Sequence, residues 1–449
     1  MATLNIEDWS TDANEALSLT LISPTSGEPT TSEFAPLFTY SLYGETQAIY
    51  GYTDLKVRIL LAADDMSPCV DVSWARKVEP MGEVEAEDVV KPLRECMTEC
   101  ELPWQSGGKE GGEANWVWKA AFERSPEEFI TDIKAAHRSK AFTPPGTLHS
   151  TYSSSGRTYE IWRSSVDGAD CQRVLENMQF LVQLYIEGGQ AIDLDDEEWS
   201  NKRWEVFFLY HRNEKENTYL FVGYCTLYRY YYFHSLVSGQ ARVRLSQFII
   251  LPPYQREGHG SRFYDAIVRY YLNSSEVREI TVEDPSEEFG DLRDLQDMIR
   301  LNRDKDFQSV KLVDVATKKF PVKEVRERAK MPERQFLRCL EMQLLQGLNR
   351  KDKKAHKMFR LLVKGRIYRQ QVDVLAQLAR LDRIDKLDET FHHVEDDYLR
   401  LLENLKKKPL DEEDDAKGKR VGPPSPIERP SKRARVVAIR GGHDGEEEP

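Results

Sequence analysis

No long apolar run occurs in this sequence, which excludes a protein anchored by membrane-spanning helices. None of its stretches approaches 18 consecutive apolar residues, and its first residues, MATLNIEDWSTDANEAL, lack the features of a signal peptide. Hydrophobic residues nevertheless make up 40% and aromatic residues 10% of the 449 positions, which is enough for a sizeable core. We therefore expect a soluble protein that does not act at a membrane.

Cysteines at metal-ligand spacing are also lacking. The six cysteines are scattered, and Cys96 and Cys100, which lie four apart, have no further cysteine or histidine close by in sequence. This pattern predicts no metal site and indicates reduced, mostly buried thiols, as in cytosolic or nuclear proteins.

Positive charge is in deficit. The chain has 63 Lys and Arg against 76 Asp and Glu, so its formal net charge is −13. That balance argues against a general nucleic-acid binder, which needs a basic face. It favours a cationic substrate or partner, although a solvated acidic surface that only maintains solubility fits the same number.

The order of elements predicts an α/β (α+β) protein. Residues 1–140 form a mixed N-terminal domain with strand-like runs (FTYSLYG, AIYGYTDLKVRILLA and VDVSWA) and one clear helix, SPEEFITDIKAAH, which Ser125 caps. Residues 141–300 alternate strands and helices, as in a central sheet with flanking helices. The predicted elements there are a helix at 171–188, strands at 202–211, 218–233 and 242–251, a helix at 259–272 and a strand at 277–283.

The last third of the chain combines a helical domain, residues 301–408, with a polar tail, residues 409–449. Phe336, Leu340 and Leu344 recur at i, i+4 and i+8, which is typical of one buried helix face. The tail mixes charge blocks with prolines and holds few core residues, so we expect no packed domain there. Its clusters KGKR and SKRAR form a bipartite nuclear-import pattern, which predicts a protein of both cytoplasm and nucleus.

The stretch LPPYQREGHGSRFYDAIVRYY joins an apolar strand to a helix through a loop with two glycines. Gly258 and Gly260 allow the backbone to approach a ligand closely. The N–H groups at a helix N-terminus bind anions such as phosphate. An ordinary turn fits the same pattern, and the lack of GK[ST] excludes a Walker loop. Apolar residues of the helix share one face: Phe263, Ile267 and Tyr271.

Gln-x-x-Gly-x-Gly between a strand and a helix resembles the acetyl-CoA pyrophosphate loop of the GNAT acetyltransferases. The fuller stretch SQFIILPPYQREGHGSRFYDAI, followed by EITVEDPSEEFGDLRD, is similar to one branch, the type B histone acetyltransferase catalytic subunits. FTYSLYG with IYGYTDLKV, IEGGQAIDLDDEEW and ERQFLRCLEM add to the resemblance, which spans residues 36–345. The departures are the charged helical extension, the tail and Gln255, where many superfamily members have Arg. The resemblance implies a GNAT central domain.

Acetyl-CoA is the cofactor that this resemblance implies. Its pantetheine arm would lie against the backbone of Phe248, Ile249 and Ile250, and Ser286 would also touch the cofactor. The pyrophosphate would be held by Gln255, Arg256, Glu257, Gly258, His259, Gly260 and Ser261. The position of His259 inside this loop favours a bystander over a catalytic residue.

A lysine amine attacks a thioester only when neutral, and neutralising it at pH 7 costs roughly 4–5 kcal/mol. A carboxylate whose pKa is raised by burial can accept that proton. Apolar and polar residues alternate in VREITVEDP, which places Glu283 opposite the buried face, although Glu-Asp-Pro also fits a plain turn. The resemblance implies that Glu283 is the general base, with Glu187 and Asp284 as further carboxylates near the amine. A backbone N–H of residues 248–250 is expected to stabilise the oxyanion, and the tyrosines of YRYYYF are candidates for protonating the CoA thiolate.

Newly made histone H4, which has a basic, glycine-rich tail, is the substrate that the resemblance implies. Positions that match tail contacts are Gln47, Ala48, Ile49, Trp199, Tyr231, Tyr232 and Phe233. The acidic run DLDDEEW and the aromatic run LYRYYYF would attract and pack on lysine side chains, although a solvated loop and a half-buried strand have the same composition. A WD-repeat histone-binding subunit is the expected partner, with histone H3 alongside H4 and no direct contact to nucleic acid.

Three functions therefore compete. The first is an acetyl-CoA-dependent lysine acetyltransferase for free H4. The second is the same fold acting on another protein amine or on a small amine, against which the acidic and aromatic runs argue. The third is a non-catalytic histone carrier, which would need neither the loop nor Glu283.

Overall fold

The computed structural model describes residues 9–80, 85–99, 121–192, 203–232, 239–349 and 351–407. Within the described residues of the N-terminal part, seven short strands form small sheets, and the largest of these has three strands in the order β2-β5-β6. The strands are β1 (Ser10–Asp12), β2 (Leu17–Ile22), β3 (Ala48–Tyr50), β4 (Tyr52–Thr53), β5 (Lys56–Ala62), β6 (Pro68–Ser73) and β7 (Arg76–Lys77). The helices among the described residues of this part are Ala13–Ala16, Tyr40–Tyr43, Val90–Glu99 and Pro126–Ser139.

Two local predictions for this part have opposite outcomes. The helix over SPEEFITDIKAAH is confirmed with its capping box, in which Ser125 Oγ accepts from the Glu128 N–H at 3.2 Å and Glu128 accepts from the Ser125 N–H at 2.9 Å. The strand over FTYSLYG is wrong, because Tyr40–Tyr43 is a turn of helix. Contacts to a distant helix override the strand preference of its aromatic residues, since the Ser41 hydroxyl donates to the Gln183 carbonyl at 2.9 Å.

A six-stranded sheet forms the centre of the molecule, in the order β13-β12-β11-β10-β9-β8. Its strands are β8 (Thr147–Ser154), β9 (Arg157–Ser165), β10 (Trp204–Asn213), β11 (Thr218–Tyr231), β12 (Ala241–Ile250) and β13 (Val277–Val282). All neighbours are antiparallel except β12 and β13, which are parallel and are joined through the helix His259–Leu272. The four predicted strands and the helix at 259–272 are confirmed, whereas the β8–β9 hairpin was not predicted.

One apolar core runs through the N-terminal part and the central sheet, from Ala13 to Ile280. The helix Ala169–Tyr185, predicted at 171–188, contributes many buried residues to it and ends before the Gly188-Gly189 pair. This core is continuous across residue 140. The predicted domain boundary near that residue stays a prediction. Four of the cysteines are buried as expected (Cys69, Cys171, Cys225 and Cys339), and Cys100 lies outside the described residues.

Helices with a core of their own, from Met298 to Leu402, follow the sheet. They are Glu287–Leu301, Lys305–Gln308, Leu312–Ala316, Val322–Arg328, Glu333–Gln346, Lys353–Gln370, Val372–Leu375 and Arg380–Lys407. The predicted helix face is confirmed, since Phe336, Leu340 and Leu344 are all buried. Among the described residues, no helix is long and apolar enough to cross a membrane.

Candidate active site

The site is built where β12 and β13 separate. The parallel register ends at Leu245 and Val282, after which the Glu283 N–H donates one more bond to the Leu245 carbonyl at 2.9 Å. On its other side β12 stays paired with β11 to Ile250, but the register skips Ser246. Such a one-residue bulge twists a strand and ends pairing with a neighbour. Residues 246–250 therefore extend beyond the end of β13 and leave a gap between the strands.

Backbone groups of Phe248 and Ile250 face this gap. The N–H and C=O of one strand residue point to the same side, and the side alternates along the strand. The N–H groups of Gln247 and Leu251 both bond to β11, one to a threonine hydroxyl at 3.1 Å and one to a carbonyl at 2.9 Å. Phe248 and Ile250, which alternate with these residues, consequently present their backbone groups to the opposite edge, toward β13.

The side chains of the predicted pantetheine strand pack inward. The Phe248 ring lies 5.4 Å from that of Phe263 and 4.9 Å from that of Phe289, between centroids, so it joins β12 to the two helices that follow. Ile249 and Ile250 are buried. A ligand in the gap would therefore meet backbone groups of this strand, and the predicted pantetheine contact of residues 248–250 stays a prediction.

The loop after β12 exposes a helix N-terminus. Residues 255–258 are exposed, and the backbone is left-handed at Arg256 (φ 63°) and Gly258 (φ 84°). Gly258 is the N-cap of the helix His259–Leu272, and no side chain caps that helix. The N–H groups of residues 259–261 at this helix end are suited to an anion. Gln255 has a structural contact, because its Nε2 donates to the Ile250 carbonyl at 2.8 Å and holds the loop to the strand.

His259 is built into the core beneath the loop. Its ring is fully buried, 4.3 Å from the Tyr159 ring between centroids, and Nδ1 lies 2.8 Å from the Tyr152 hydroxyl. Burial lowers the pKa of His259, and the Glu257 carboxylate opposes that shift. A buried, neutral, hydrogen-bonded ring supports the expectation that His259 is not catalytic.

Glu283 stands at the open end of β13. One carboxylate oxygen pairs with Arg244 Nη1 at 3.0 Å, and the other accepts from the Ser246 hydroxyl at 2.7 Å. The Glu283 side chain is 40% exposed, and its predicted role as general base stays a prediction. Val282 is the last residue of β13, and the Glu283 N–H makes the final backbone bond to β12.

The two residues that contact Glu283 escaped the sequence analysis. Arg242, Arg244 and Ser246 alternate with buried Val243 and Leu245, so they share one face of β12. That alternation could have shown them to be outward-facing. It could not have shown that the bulge at Ser246 brings them opposite Glu283.

Asp284 and Ser286 follow in the turn. Asp284 is exposed and has a positive φ of 28°. Ser286 caps the next helix, Glu287–Leu301, because its Oγ accepts from the Phe289 N–H at 3.3 Å. The contact of Phe289 with β12 places this cap near the gap, where Ser286 was expected to touch the cofactor.

Comparison with known proteins agrees with this geometry. Residues 9–187 match the model of the histone acetyl transferase HAT1 N-terminus, and residues 176–289 match that of the acetyltransferase (GNAT) family. A type B histone acetyltransferase catalytic subunit of Gibberella zeae is 34% identical to this chain, over 88% of the chain and 90% of the relative. Its counterpart in Pyricularia oryzae is 32% identical, over 91% and 96%. The chain belongs to the family of type B histone acetyltransferase catalytic subunits. It is therefore an acetyltransferase with a GNAT-type central sheet.

In this type B subunit, the segment that carries Glu187 is hydrogen-bonded to β12. Glu187 is exposed just beyond the helix Ala169–Tyr185. The neighbouring Gly188 N–H donates to the Tyr40 hydroxyl at 2.9 Å. Gln247, next to the bulge, donates from Nε2 to the Gln190 carbonyl at 2.9 Å. These bonds place the Glu187 segment against the N-terminal part and beside β12, next to the bulge.

The residues that were expected to contact the substrate differ in how accessible they are. Gln47 Oε1 accepts from the Thr39 N–H at 2.8 Å and from Asn14 Nδ2 at 3.1 Å, so its side chain holds a turn. Ala48 is half-buried, and Ile49 is fully buried in the core and paired with Thr11 of β1, so Ile49 has no accessible surface for a peptide in this structure.

The aromatic positions that are described lie at the end of β11. Tyr231 is 46% exposed, and the Arg242 guanidinium lies 4.9 Å from the centroid of the Tyr232 ring. Trp199, Phe233 and the acidic run Asp193, Asp195, Asp196, Glu197 and Glu198 lie outside the described residues. Within the described ranges, no group of three or more His, Cys, Asp or Glu side chains could hold a metal ion.

Proposed function

We propose that this chain transfers the acetyl group of acetyl-CoA to lysine side chains in the tail of free, newly synthesised histone H4, before chromatin assembly. The observation that carries the proposal is the separation of β12 from β13 at Ser246. It leaves a backbone edge flanked on one side by an uncapped helix N-terminus and on the other by Glu283.

The residues around the gap offer the types of chemical group that acetyl-CoA needs. The N–H groups at the start of the helix His259–Leu272 would hold the pyrophosphate, supported by the exposed loop 255–258. The backbone of residues 248–250 would bind the pantetheine arm, and one of its N–H groups would stabilise negative charge on the carbonyl oxygen. The coenzyme supplies an activated acetyl thioester when bound.

Glu283 is the residue that we propose as general base. It would accept the proton of the substrate ammonium, directly or through one water, so that the neutral amine can attack. A bound peptide that covers the strand end would supply the burial that Glu283 lacks in the described structure. Glu187 and Asp284 are proposed as neighbouring carboxylates that attract the lysine.

The remaining proposals concern the setting of the reaction. The H4 tail would lie across Gln47, Ala48 and Ile49 on one side and the end of β11 on the other, with Trp199 and Phe233 also in contact. A short tail is a small interface for selecting one histone. A WD-repeat subunit that binds H4, with or without histone H3, would add the missing selectivity. Basic clusters in residues 409–449 support a protein that divides between cytoplasm and nucleus.

Acetyl transfer to an H4 tail peptide tests the proposal, with wild type compared to Glu283→Gln. We expect modification confined to tail lysines and at least a tenfold lower kcat in the variant, because a general base typically contributes 10²–10⁴-fold. Calorimetry should show unchanged acetyl-CoA affinity in the variant. The matched control is Glu288→Gln, which removes an exposed carboxylate five residues away and should keep wild-type kcat.

Other outcomes would support the competing functions. Acetylation of spermidine without acetylation of the peptide would indicate a small-amine enzyme. Peptide binding without any turnover would indicate a histone carrier. Loss of acetyl-CoA binding in protein with an intact fold would contradict the assignment of the gap itself.

A further inference from the structure

We infer that Ser246 is a positioning residue for Glu283, assisted by Arg244, and that the bulge in β12 exists at this position to bring the two together. The inference rests on the proposed role of Glu283 as general base. Ser246 and Arg244 would act through the carboxylate, without touching substrate or coenzyme themselves.

Glu283 needs such support because it stands past the last residue of β13. The strand ends at Val282, and the Glu283 N–H makes the final bond to β12. Its side chain is 40% exposed, so packing does not select one rotamer. Restricting a free glutamate side chain costs conformational entropy, and a base that is misplaced by about 1 Å loses much of its rate. Directed contacts therefore have to orient this carboxylate.

The contacts engage both carboxylate oxygens. Ser246 Oγ donates to Oε2 at 2.7 Å, and Arg244 Nη1 lies 3.0 Å from Oε1. Two contacts from one strand fix the plane of the carboxylate as well as its position. Ser246 is also the residue that the β11–β12 register skips, so the same feature opens the gap and aims the hydroxyl at Glu283.

Arg242 provides an internal comparison on the same face of β12. It pairs with Glu279 at 2.5 Å, and its side chain is 29% exposed against 40% for Arg244. Glu279 also pairs with Arg326, at 3.4 Å, in the helical part of the chain. Arg242 therefore ties the sheet together, two residues from Arg244 and without contact to the proposed base.

Steady-state kinetics on the full chain test the inference. We expect Ser246→Ala to lower kcat for the H4 peptide about tenfold and Arg244→Gln about threefold, with KM for acetyl-CoA within twofold of wild type. Ser246→Thr keeps the hydroxyl and should restore most of kcat. The control is Ser153→Ala on the far strand β8, which should keep wild-type kcat. Thermal melts on each variant identify any that fail to fold.

A double-mutant cycle separates this inference from the function on which it rests. If Ser246 acts through Glu283, Ser246→Ala should change kcat less than twofold in the Glu283→Gln background. An equal loss of kcat in both backgrounds, or wild-type kcat in Ser246→Ala alone, would overturn the positioning role and leave the base intact. Wild-type kcat in Glu283→Gln alone would instead overturn the proposed base, and the positioning role with it.

Discussion

At the scale of single residues, the turn after β5 contains a buried carboxyl whose charge opposes folding. Asp64 is only 7% exposed, and its Oδ1 accepts a bond from the Asp65 N–H at 2.9 Å. Burial, reinforced by the neighbouring Asp65 carboxylate, raises the pKa of Asp64 from 3.8 to about 7. Asp64 lines a cleft of about 290 Å³ between this turn and the helices Pro126–Ser139 and Ala169–Tyr185, far along the chain from Glu283.

The raised pKa of Asp64 predicts how stability changes with pH. Between about pH 4 and 7 the folded chain holds a proton on Asp64 that the unfolded chain has lost, so this group makes the free energy of unfolding fall as pH rises through that window. We expect Asp64→Asn to be more stable than wild type at pH 7.5, by on the order of 2 kcal/mol. The difference should nearly vanish at pH 4.

Urea denaturation at pH 4, 5.5 and 7.5 measures this effect. Asp170→Asn is the matched control, because it removes a carboxylate from the same cleft at an exposed position. A stability gain at pH 7.5 that is equally large at pH 4 would contradict the assignment to Asp64 ionisation.

At the scale of elements, the helix His259–Leu272 follows directly on the loop of residues 255–258 and packs against the sheet. Its inner face is confirmed, since Phe263, Ile267 and Tyr271 are buried. Gly258 starts the helix with a φ of 84°, a conformation that L-residues with side chains adopt only at a cost. The loop shape and the orientation of the first N–H groups therefore depend on this glycine.

We expect Gly258→Ala to raise the Kd for acetyl-CoA about fivefold to tenfold. The substitution forces either strain of about 1 kcal/mol or a changed loop backbone, and both displace the N–H groups from the pyrophosphate. Isothermal titration calorimetry with acetyl-CoA measures this Kd.

Gly290→Ala is the matched control for Gly258→Ala. Gly290 lies in the helix Glu287–Leu301, and an added Cβ there would meet nothing within 4 Å. This variant should keep the wild-type Kd and gain up to about 1 kcal/mol of stability. An unchanged Kd in Gly258→Ala would argue against the loop as the pyrophosphate site.

At the scale of the whole molecule, the net charge of −13 acts on the two proposed substrates in opposite directions. A basic histone tail is attracted by the summed field, whereas anionic CoA is repelled by it. Salt screens both effects, with a Debye length of about 10 Å at 0.1 M.

Raising the ionic strength from about 0.05 to 0.3 M should therefore raise KM for the H4 peptide, by about threefold or more. KM for acetyl-CoA should fall or stay constant over the same range. Initial rates with each substrate varied in turn measure both values. Equal increases in the two KM values would indicate a general effect of salt on the enzyme.

The fold of the whole molecule also shows which elements local sequence patterns can predict. Periodicity and capping residues predicted the helices at 126–139 and 259–272 and the strands β10 to β13, because the residues that define each of these elements are neighbours in the chain. The β8–β9 hairpin has a comparable local signal, the Ser155-Gly156 pair between alternating residues, and both residues have positive φ in the structure. This hairpin was nevertheless not predicted.

The sequence by itself determined the family, the alternating elements of the central sheet and the position of the glycine loop, since each is written in contiguous residues. Only the tertiary structure decided the bulge at Ser246, the pairing of Arg244 with Glu283 and the helical turn at Tyr40–Tyr43. Residues 246 and 283 lie far apart in the chain, and the register that brings them together depends on the packing of two whole strands. The exposure of Glu283 depends on the same packing. Alternation along β13 shows which face of the strand a residue occupies, but it does not show where the pairing with β12 stops.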